Sequence, residues 1–243
     1  MKTIDSLSNP FVLRLSKLHE RKYRDEERLF LIEGNHLIEE AKKARRLKTV
    51  LITDEKMAIN SVDNYLVNPL IIQKLSQTKS PSSIIGVCEY FDEPSIKGKR
   101  FLLLDNLQDP GNVGTLVRSA LGFSVDLVIL NSQAVDIYND KFIRSTQGAF
   151  FHIPLLKTDL SFAIKDLKKQ GITIVGTSVN QATSLYQFVA PKSWGLLLGN
   201  EGQGIGENLW SFVDESVFIP MNPLLESLNV GVAGSIILAY LNQ

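Results

Sequence analysis

The sequence predicts an α/β protein with a small N-terminal α/β domain and a larger C-terminal domain, whose mostly parallel sheet carries helices on both faces. Beyond residue 100, apolar strand-like runs alternate with helix-like segments, and this alternation is typical of parallel sheets. The stretch 92–99 is polar and contains proline and glycine, as linkers commonly do. We therefore expect domains at residues 1–96 and 97–243.

The N-terminal half contains the elements of a small α/β domain. Val12, Leu15 and Leu18 recur at three-residue spacing and predict a helix with one apolar stripe. Asn68-Pro69 predicts the start of another helix, because asparagine caps helices and proline suits their first position. The other predicted elements are strands at 29–32, 49–53 and 84–90 and a helix at 35–44.

The C-terminal half alternates between the two kinds of element. Predicted strands cover residues 101–105, 127–130, 172–175, 194–198 and 217–219. Predicted helices cover residues 112–121, 139–147, 161–170, 207–212 and 227–241. Ligands on such sheets bind beyond the carboxyl ends of the strands, so we expect the functional residues in the loops that follow them.

Composition excludes several classes of protein. The 243 residues carry 26 Lys+Arg against 26 Asp+Glu, so bulk charge does not hold this chain on nucleic acid. The first 50 residues are nevertheless basic, with 12 lysines and arginines against 8 acids. Cys88 is the single cysteine and lies in an apolar run, which excludes an internal disulfide and indicates a buried thiol.

Targeting segments and metal ligands are also not indicated. No apolar run reaches the roughly 18 residues that a membrane span requires, and the start of the chain is too polar for a signal peptide. His19, His36 and His152 are scattered without the spacing of metal ligands. We expect a cytoplasmic protein without a membrane segment and without a metal site.

The first of three notable loops, residues 105–114, joins a strand to a helix that carries Arg118. Pro110-Gly111 predicts a turn, and Asn112 is placed to cap the helix. Taken alone, this loop favours a capped helix with a surface arginine.

The other two loops follow later strands. Residues 199–206 contain four glycines around Glu201, but their spacing matches neither a dinucleotide fingerprint nor a P-loop. Residues 219–230 pass through a proline-rich turn to Ser227 and Asn229, with Ser227 placed to cap the final helix. An ordinary capping pair explains these two residues equally well. The glycines at 231 and 234 predict close packing of that helix.

The three loops together, in this order, resemble the SpoU (TrmH-like) family of RNA 2′-O-ribose methyltransferases of the SPOUT class. The matching stretches are NVGTLVRSA at 112–120, LGNEGQG at 198–204, and IPM at 219–221 with ESLNV at 226–230. Asn9-Pro10 and FLIEG at 30–34 resemble the substrate-binding domain that precedes the catalytic domain in many members. The resemblance covers essentially the whole chain; Pro223 and Gly231 depart from the family pattern.

The resemblance implies a catalytic domain at 97–243 with a trefoil knot that binds S-adenosylmethionine, working as a homodimer on RNA. It implies that Arg118 is the main catalytic residue, either as a base or as a clamp on the adjacent phosphate. Because a guanidinium stays protonated in proteins, we favour the clamp. Asn112 and Glu201 are expected to hold Arg118 and the ribose, and Ser227 and Asn229 to orient the nucleotide or the cofactor carboxylate.

The same resemblance assigns the cofactor-binding residues, and the basic charge of the first 50 residues indicates the RNA contacts. The expected cofactor contacts are Leu198, Gly199, Ile219, Met221, Leu228 and Asn229. The expected RNA contacts, in domain 1–96, are Arg14, Lys17, Arg21, Lys22, Arg24 and Arg28. A solvated helix face balanced by neighbouring acids is the alternative explanation of those six residues.

Ribosomal RNA of the large subunit (23S rRNA) is the first expected substrate and transfer RNA the second. A non-catalytic RNA-binding protein would also explain the basic front, but it would not need Arg118, Glu201 and Asn229 together. A nucleotide-dependent oxidoreductase is excluded because the glycine fingerprint and its acidic partner are not in the proper place.

Overall fold

The computed structural model describes residues 1–178, 182–200 and 202–243. Its strands are β1 (Lys2–Ile4), β2 (Leu29–Glu33), β3 (Leu47–Ile52), β4 (Asp63–Val67), β5 (Ile84–Glu89), β6 (Arg100–Leu104), β7 (Leu127–Asn131), β8 (Leu155–Thr158), β9 (Thr173–Thr177), β10 (Thr183–Ser184), β11 (Trp194–Leu198) and β12 (Glu215–Phe218). Its α-helices are α1 (Pro10–Lys17), α2 (Arg21–Glu27), α3 (Asn35–Lys43), α4 (Pro69–Leu75), α5 (Pro110–Gly122), α6 (Asp140–Ser145), α7 (Leu160–Lys169), α8 (Glu207–Trp210) and α9 (Val230–Leu241). Across the described ranges, every helix is too short or too polar to cross a bilayer.

The chain divides into two compact units. The first contains Met1–Asp92 and Ile137–Phe151, and the second contains Glu93–Asp136 and His152–Gln243. The two continuous domains expected from the sequence place the boundary near residue 96, close to the first division. Segment 137–151 lies within the predicted C-terminal domain 97–243 but packs in the first unit.

The first unit is built on a mixed sheet whose described strands run in the order β1-β4-β3-β5-β2. β1, β4 and β3 are parallel, while β5 runs antiparallel to both β3 and β2. Helices α1 and α4 cover the sheet through Val12, Leu15 and Ile71, so the apolar stripe predicted for α1 faces the core. Cys88 is fully buried in β5, and burial raises the pKa of its thiol, as the prediction of an inert thiol requires.

Aromatic side chains join segment 137–151 to this sheet. The Tyr138 ring stacks on Tyr90 with centroids 3.5 Å apart, and it lies 5.2 Å from the ring of Phe30. Phe150 meets Phe30 edge to face at 5.7 Å and is almost completely buried. Burying rings of this size supplies much of the stability of a small core. The segment is therefore part of the first unit's core, although it is distant from that core in sequence.

The second unit contains a sheet in which the described strands are all parallel, in the order β10-β12-β9-β11-β6-β7-β8. Its central strands are almost continuously apolar, because helices cover both faces. α7 packs on the strands through Leu160, Ile164 and Leu167. The predicted α/β class with a mostly parallel sheet is confirmed.

Candidate cofactor and catalytic site

A cleft of about 700 Å³ opens at the carboxyl ends of β9, β11 and β12, where the sequence analysis expected a site. The residues expected to bind the cofactor all line it: Leu198, Gly199, Ile219, Met221, Leu228 and Asn229. Ser227 lines it as well. The volume falls within the range of about 300–1,000 Å³ that is usual for small-molecule sites.

The glycine-rich loop after β11 is folded against itself. Asn200 N–H donates to the Gly204 carbonyl at 3.0 Å, and Gly204 N–H donates back to Asn200 at 2.8 Å. A Cβ on Gly199 would lie 2.1 Å from the carbonyl carbon of Gly204, so only glycine fits there. Gly199 thus allows the close approach of backbone to backbone in the wall of the cleft. Glu201 lies outside the described residues.

Asn229 lines the cleft and directly precedes α9. Its Oδ1 accepts hydrogen bonds from Gly231 N–H at 2.9 Å and Val232 N–H at 3.3 Å, which makes Asn229 the N-cap. The prediction that Ser227 caps this helix is therefore wrong, because the helix begins at Val230. Ser227 is exposed in the preceding loop, where its hydroxyl remains available to a ligand.

The start of α5 also differs from the prediction. Asp109 is the N-cap, its Oδ1 accepting from Asn112 N–H at 2.8 Å, and Pro110 takes the first helical position. The predicted capping role of Asn112 is therefore wrong. Its Oδ1 instead accepts from Asn229 Nδ2 at 2.8 Å. The pair Asp109-Pro110 was the correct signal in the sequence, since Asn9-Pro10 and Asn68-Pro69 begin helices in the same way.

Helices α5 and α9 pack closely along their length. A Cβ on Gly234 would lie 2.4 Å from Leu116 Cδ2 and 2.6 Å from Leu198 Cδ1. One turn away, the hydroxyls of Ser119 and Ser235 are 2.7 Å apart. The close packing predicted from the glycines of α9 is confirmed. It fixes Asn112 and Asn229 against each other beside the cleft.

Arg118 lies on the exposed side of α5 and does not line the cleft. It follows Thr115 by three positions, so the two residues share a side of the helix. Thr115 lies close to the start of α9, because its Cβ is 3.4 Å from the position that a Cβ on Gly231 would occupy. Within the part of the chain that the structure describes, the Arg118 side chain makes no hydrogen bond or ion pair. Its expected partner, Glu201, lies outside that part.

The predicted RNA contacts on α1 and α2 have different surroundings. Arg14 forms a bidentate ion pair with Glu27, and the hydrogen bond to Glu27 raises the pKa of Arg14. Arg21 forms an ion pair with Asp25 at 3.3 Å. Arg24 is buried, and its Nη1 donates to the backbone carbonyls of residues 18 and 19 at 2.8 Å. The expectation that Arg24 contacts RNA does not fit this burial, because its charge is used inside the unit.

The remaining three basic side chains are exposed. Arg28 lies over the ring of Tyr90 and donates to a backbone carbonyl at 3.2 Å. Lys17 and Lys22 both lie beside the ring of Tyr23, 5.2 and 5.7 Å from its centroid. Within the described ranges, neither lysine has an acidic partner. The structure thus singles out these two lysines, with Tyr23, as an available basic surface.

Sequence reasoning missed two other polar residues at the site. Asp105 follows β6 directly and is almost completely buried, and Asn200 donates from Nδ2 to the Asn106 carbonyl at 3.1 Å. An acid directly after an apolar strand was the available signal. Clusters of three or more potential metal ligands do not occur among the described residues.

Residues 99–239 match the model of the SpoU rRNA methylase family, and residues 9–86 match that of the MRM3-like substrate binding domain. The chain belongs to the SpoU rRNA methylase family. This confirms the resemblance seen in the three loops. It also confirms the predictions of an RNA 2′-O-ribose methyltransferase and of S-adenosylmethionine as the methyl donor.

Several relatives are similar to this SpoU methylase along nearly its entire length. The 23S rRNA (guanosine(2553)-2′-O)-methyltransferase RlmP of Bacillus subtilis is 34% identical over 99% of both chains. The structure of an AdoMet-bound rRNA methyltransferase from Sinorhizobium meliloti matches with a TM-score of 0.89 at 26% identity, covering 99% of this chain and 97% of the other. A TrmH-family structure from Porphyromonas gingivalis matches with a TM-score of 0.88 at 28% identity, covering 97% and 98%.

Proposed function

We propose that this SpoU methylase transfers a methyl group to the 2′-hydroxyl of a guanosine in 23S ribosomal RNA, with the cofactor held in the cleft beyond β9, β11 and β12. The observation that carries the proposal is the convergence of the expected cofactor residues on that one cleft. The full-length similarity to the Bacillus subtilis enzyme favours 23S rRNA over transfer RNA.

The chemistry of the cleft fits S-adenosylmethionine. The apolar residues Leu198, Ile219 and Met221 line the cleft, and apolar surroundings suit an adenine ring and a thioether chain. Polar groups from Ser227 and Asn229 line the same space and suit the ribose and the amino-acid end. When bound, the cofactor supplies a methyl group on a positively charged sulfur.

The residues of this chain would prepare the RNA hydroxyl. A ribose 2′-hydroxyl is a weak nucleophile and must be oriented and relieved of its proton. Because guanidinium groups carry a positive charge in proteins, we assign Arg118 to the neighbouring phosphate and to the negative charge that develops on the ribose oxygen. The hydrogen bond between Asn112 and Asn229 links the helix of Arg118 to the wall of the cleft. Glu201 is proposed to hold the guanidinium.

RNA recognition is proposed to lie in the first unit. Lys17 and Lys22 can contact phosphates, and the partly exposed ring of Tyr23 between them can stack on a base. Arg14, Arg21 and Arg28 are proposed as secondary contacts, because each already has a partner in the protein. Residues 1–96 would then serve substrate binding and residues 97–243 catalysis.

We propose a homodimer that works in the cytoplasm, because its relatives modify ribosomal RNA. Leu121 of α5 and Val232 and Ile236 of α9 are exposed apolar side chains on two adjacent helices, and burying them between two copies would remove them from water. Light scattering of the wild-type chain and of Ile236→Asp tests this proposal, since the variant should be monomeric. The trefoil knot stays a prediction.

The function is tested by methyl transfer from radiolabelled S-adenosylmethionine to 23S rRNA and to transfer RNA, with nuclease digestion to identify the product. We expect 2′-O-methylguanosine in 23S rRNA, first at the position equivalent to guanosine 2553 of the Bacillus subtilis enzyme's substrate. Gly199→Ala should abolish cofactor binding, because its Cβ would collide with Gly204. Gly122→Ala is the control, since its Cβ meets nothing within 4 Å. Methylation of transfer RNA alone would overturn the choice of substrate.

A further inference from the structure

We propose that Asp105 is a positioning residue for methyl transfer: its buried carboxylate holds the glycine-rich loop after β11 in the shape that the cofactor cleft requires. This inference rests on the proposed function, because it assumes that the cleft binds S-adenosylmethionine. Asp105 immediately follows β6, and its side chain is 4% exposed.

The two carboxylate oxygens of Asp105 accept hydrogen bonds from two different segments of the chain. Oδ1 accepts from Asn131 Nδ2 at 3.0 Å, at the end of the neighbouring strand β7. Oδ2 accepts from Gly206 N–H at 3.0 Å, at the end of the glycine-rich loop. The backbone N–H of Asp105 also donates to the Leu198 carbonyl at 2.9 Å, which keeps the acid at the end of the central pair of strands.

The next residue holds the other end of the same loop. Asn106 has a left-handed backbone (φ 53°), which turns its carbonyl toward Asn200, and Asn200 Nδ2 donates to it at 3.1 Å. The loop is therefore fixed at Asn200 by residue 106 and at Gly206 by residue 105. Between these points, Asn200, Gly204 and Ile205 line the cleft. A shift of Gly206 would move this wall.

A buried carboxylate suits this task better than a neutral side chain. Both groups that face it are donors, so it accepts both bonds at once, and bonds to an ionised acceptor are shorter and stronger than neutral ones. Without Asp105, the N–H of the partly buried Gly206 would lose its acceptor. The loop would then gain alternative positions in which the cleft is no longer formed. The expected consequence is weaker cofactor binding, with RNA binding unaffected.

The test uses calorimetry with S-adenosylmethionine and methyl-transfer kinetics on the full-length protein. Asp105→Ala should raise the Kd and the KM for S-adenosylmethionine by about tenfold or more and leave the KM for RNA unchanged. Asp126→Ala is the matched control. The Asp126 carboxylate accepts from the N–H groups of residues 99 and 100 at the opposite end of β6, so its loss should affect stability without changing cofactor affinity.

Rescue by a second substitution separates positioning from a loss of folding. In Asp105→Asn, the new side-chain NH₂ group faces an N–H donor of either Gly206 or Asn131, so one of the two hydrogen bonds is lost. The affinity for S-adenosylmethionine should therefore fall. Adding Asn131→Asp supplies an acceptor opposite that donor and should bring the affinity back to within about threefold of wild type. Wild-type affinity in both single variants at position 105, or no recovery in the double variant, would overturn the inference. If the wild-type protein itself bound no S-adenosylmethionine, the proposed cleft would fail instead.

Discussion

The side-chain amide of Asn229 donates a hydrogen bond to Oδ1 of Asn112 across 2.8 Å, joining the first turn of α9 to the first turn of α5. The same Asn229 caps α9 with its Oδ1 and lines the cleft. One side chain therefore couples helix stability, helix packing and the shape of the site. Asn112 and Asn229 are 117 residues apart in sequence, and this contact brings their two motifs together.

Substitutions of Asn229 should separate its role as the N-cap of α9 from its hydrogen bond to Asn112. Asn229→Ala should lower the free energy of unfolding by about 1–2 kcal/mol through the lost cap, and Asn229→Ser should restore most of it, since serine caps equally well. Both variants lose the link to Asn112 and should lose methyl transfer to a similar degree. Denaturant unfolding and initial rates measure the two effects. Full activity in Asn229→Ser would contradict a role for the link.

Helix starts illustrate what the sequence could and could not predict. Asx-Pro pairs encode their caps locally, so the start of α4 was predicted correctly and that of α5 could have been. The caps assigned to Asn112 and Ser227 failed because several capping residues stood close together, and the choice among them depends on where the helix packs.

Four of the described strands are not predicted from the sequence, for a different reason. β1, β8 and β10 are short edge strands, and β4 is a polar one, so their pairing partners rather than their own patterns define them. The residues expected to bind the cofactor line one cleft, because their motifs lie on loops that follow long apolar strands. The burial of Arg24 and the hydrogen bonds of Asp105 depend on contacts that no local pattern contains.

Segment 137–151 should be required for folding of the first unit. Phe150→Ala should cost about 3–5 kcal/mol of unfolding free energy, because it removes a ring that packs against several others. Phe162→Ala should change it by less than about 0.5 kcal/mol, because that ring is 71% exposed. Chemical denaturation of the two variants provides the comparison. A fragment of residues 1–96 that shows a cooperative, wild-type-like transition would refute the requirement.

Lys17 and Lys22 should contribute to RNA affinity through phosphates. The double variant Lys17→Glu/Lys22→Glu should weaken RNA binding and flatten the dependence of log K on log salt by about one to two units. Lys165→Glu/Lys169→Glu changes the net charge equally on α7 and serves as the control. Filter binding at several salt concentrations measures both slopes. Equal slopes in the two double variants would point to bulk charge rather than to the surface around Tyr23.

His19 should make the protein less stable in mild acid. Burial, the largest effect, lowers its pKa, although the Lys74 carbonyl and Asp140 oppose this. The unfolded chain therefore takes up the proton first, and stability should fall as the pH drops below the unfolded pKa of about 6.5. His19→Gln should remove this part of the pH dependence. Denaturant unfolding between pH 7.5 and 5 measures it, and identical pH profiles for both proteins would contradict the assignment.

The most direct test of the account is a comparison of wild type and Arg118→Ala in two measurements on the same preparations, S-adenosylmethionine binding by calorimetry and methyl transfer to 23S rRNA. Arg118 does not line the cleft, so cofactor affinity should stay within about twofold of wild type. Loss of the charge that faces the developing alkoxide should reduce turnover by about a hundredfold or more. Undiminished turnover in Arg118→Ala would contradict the proposed site.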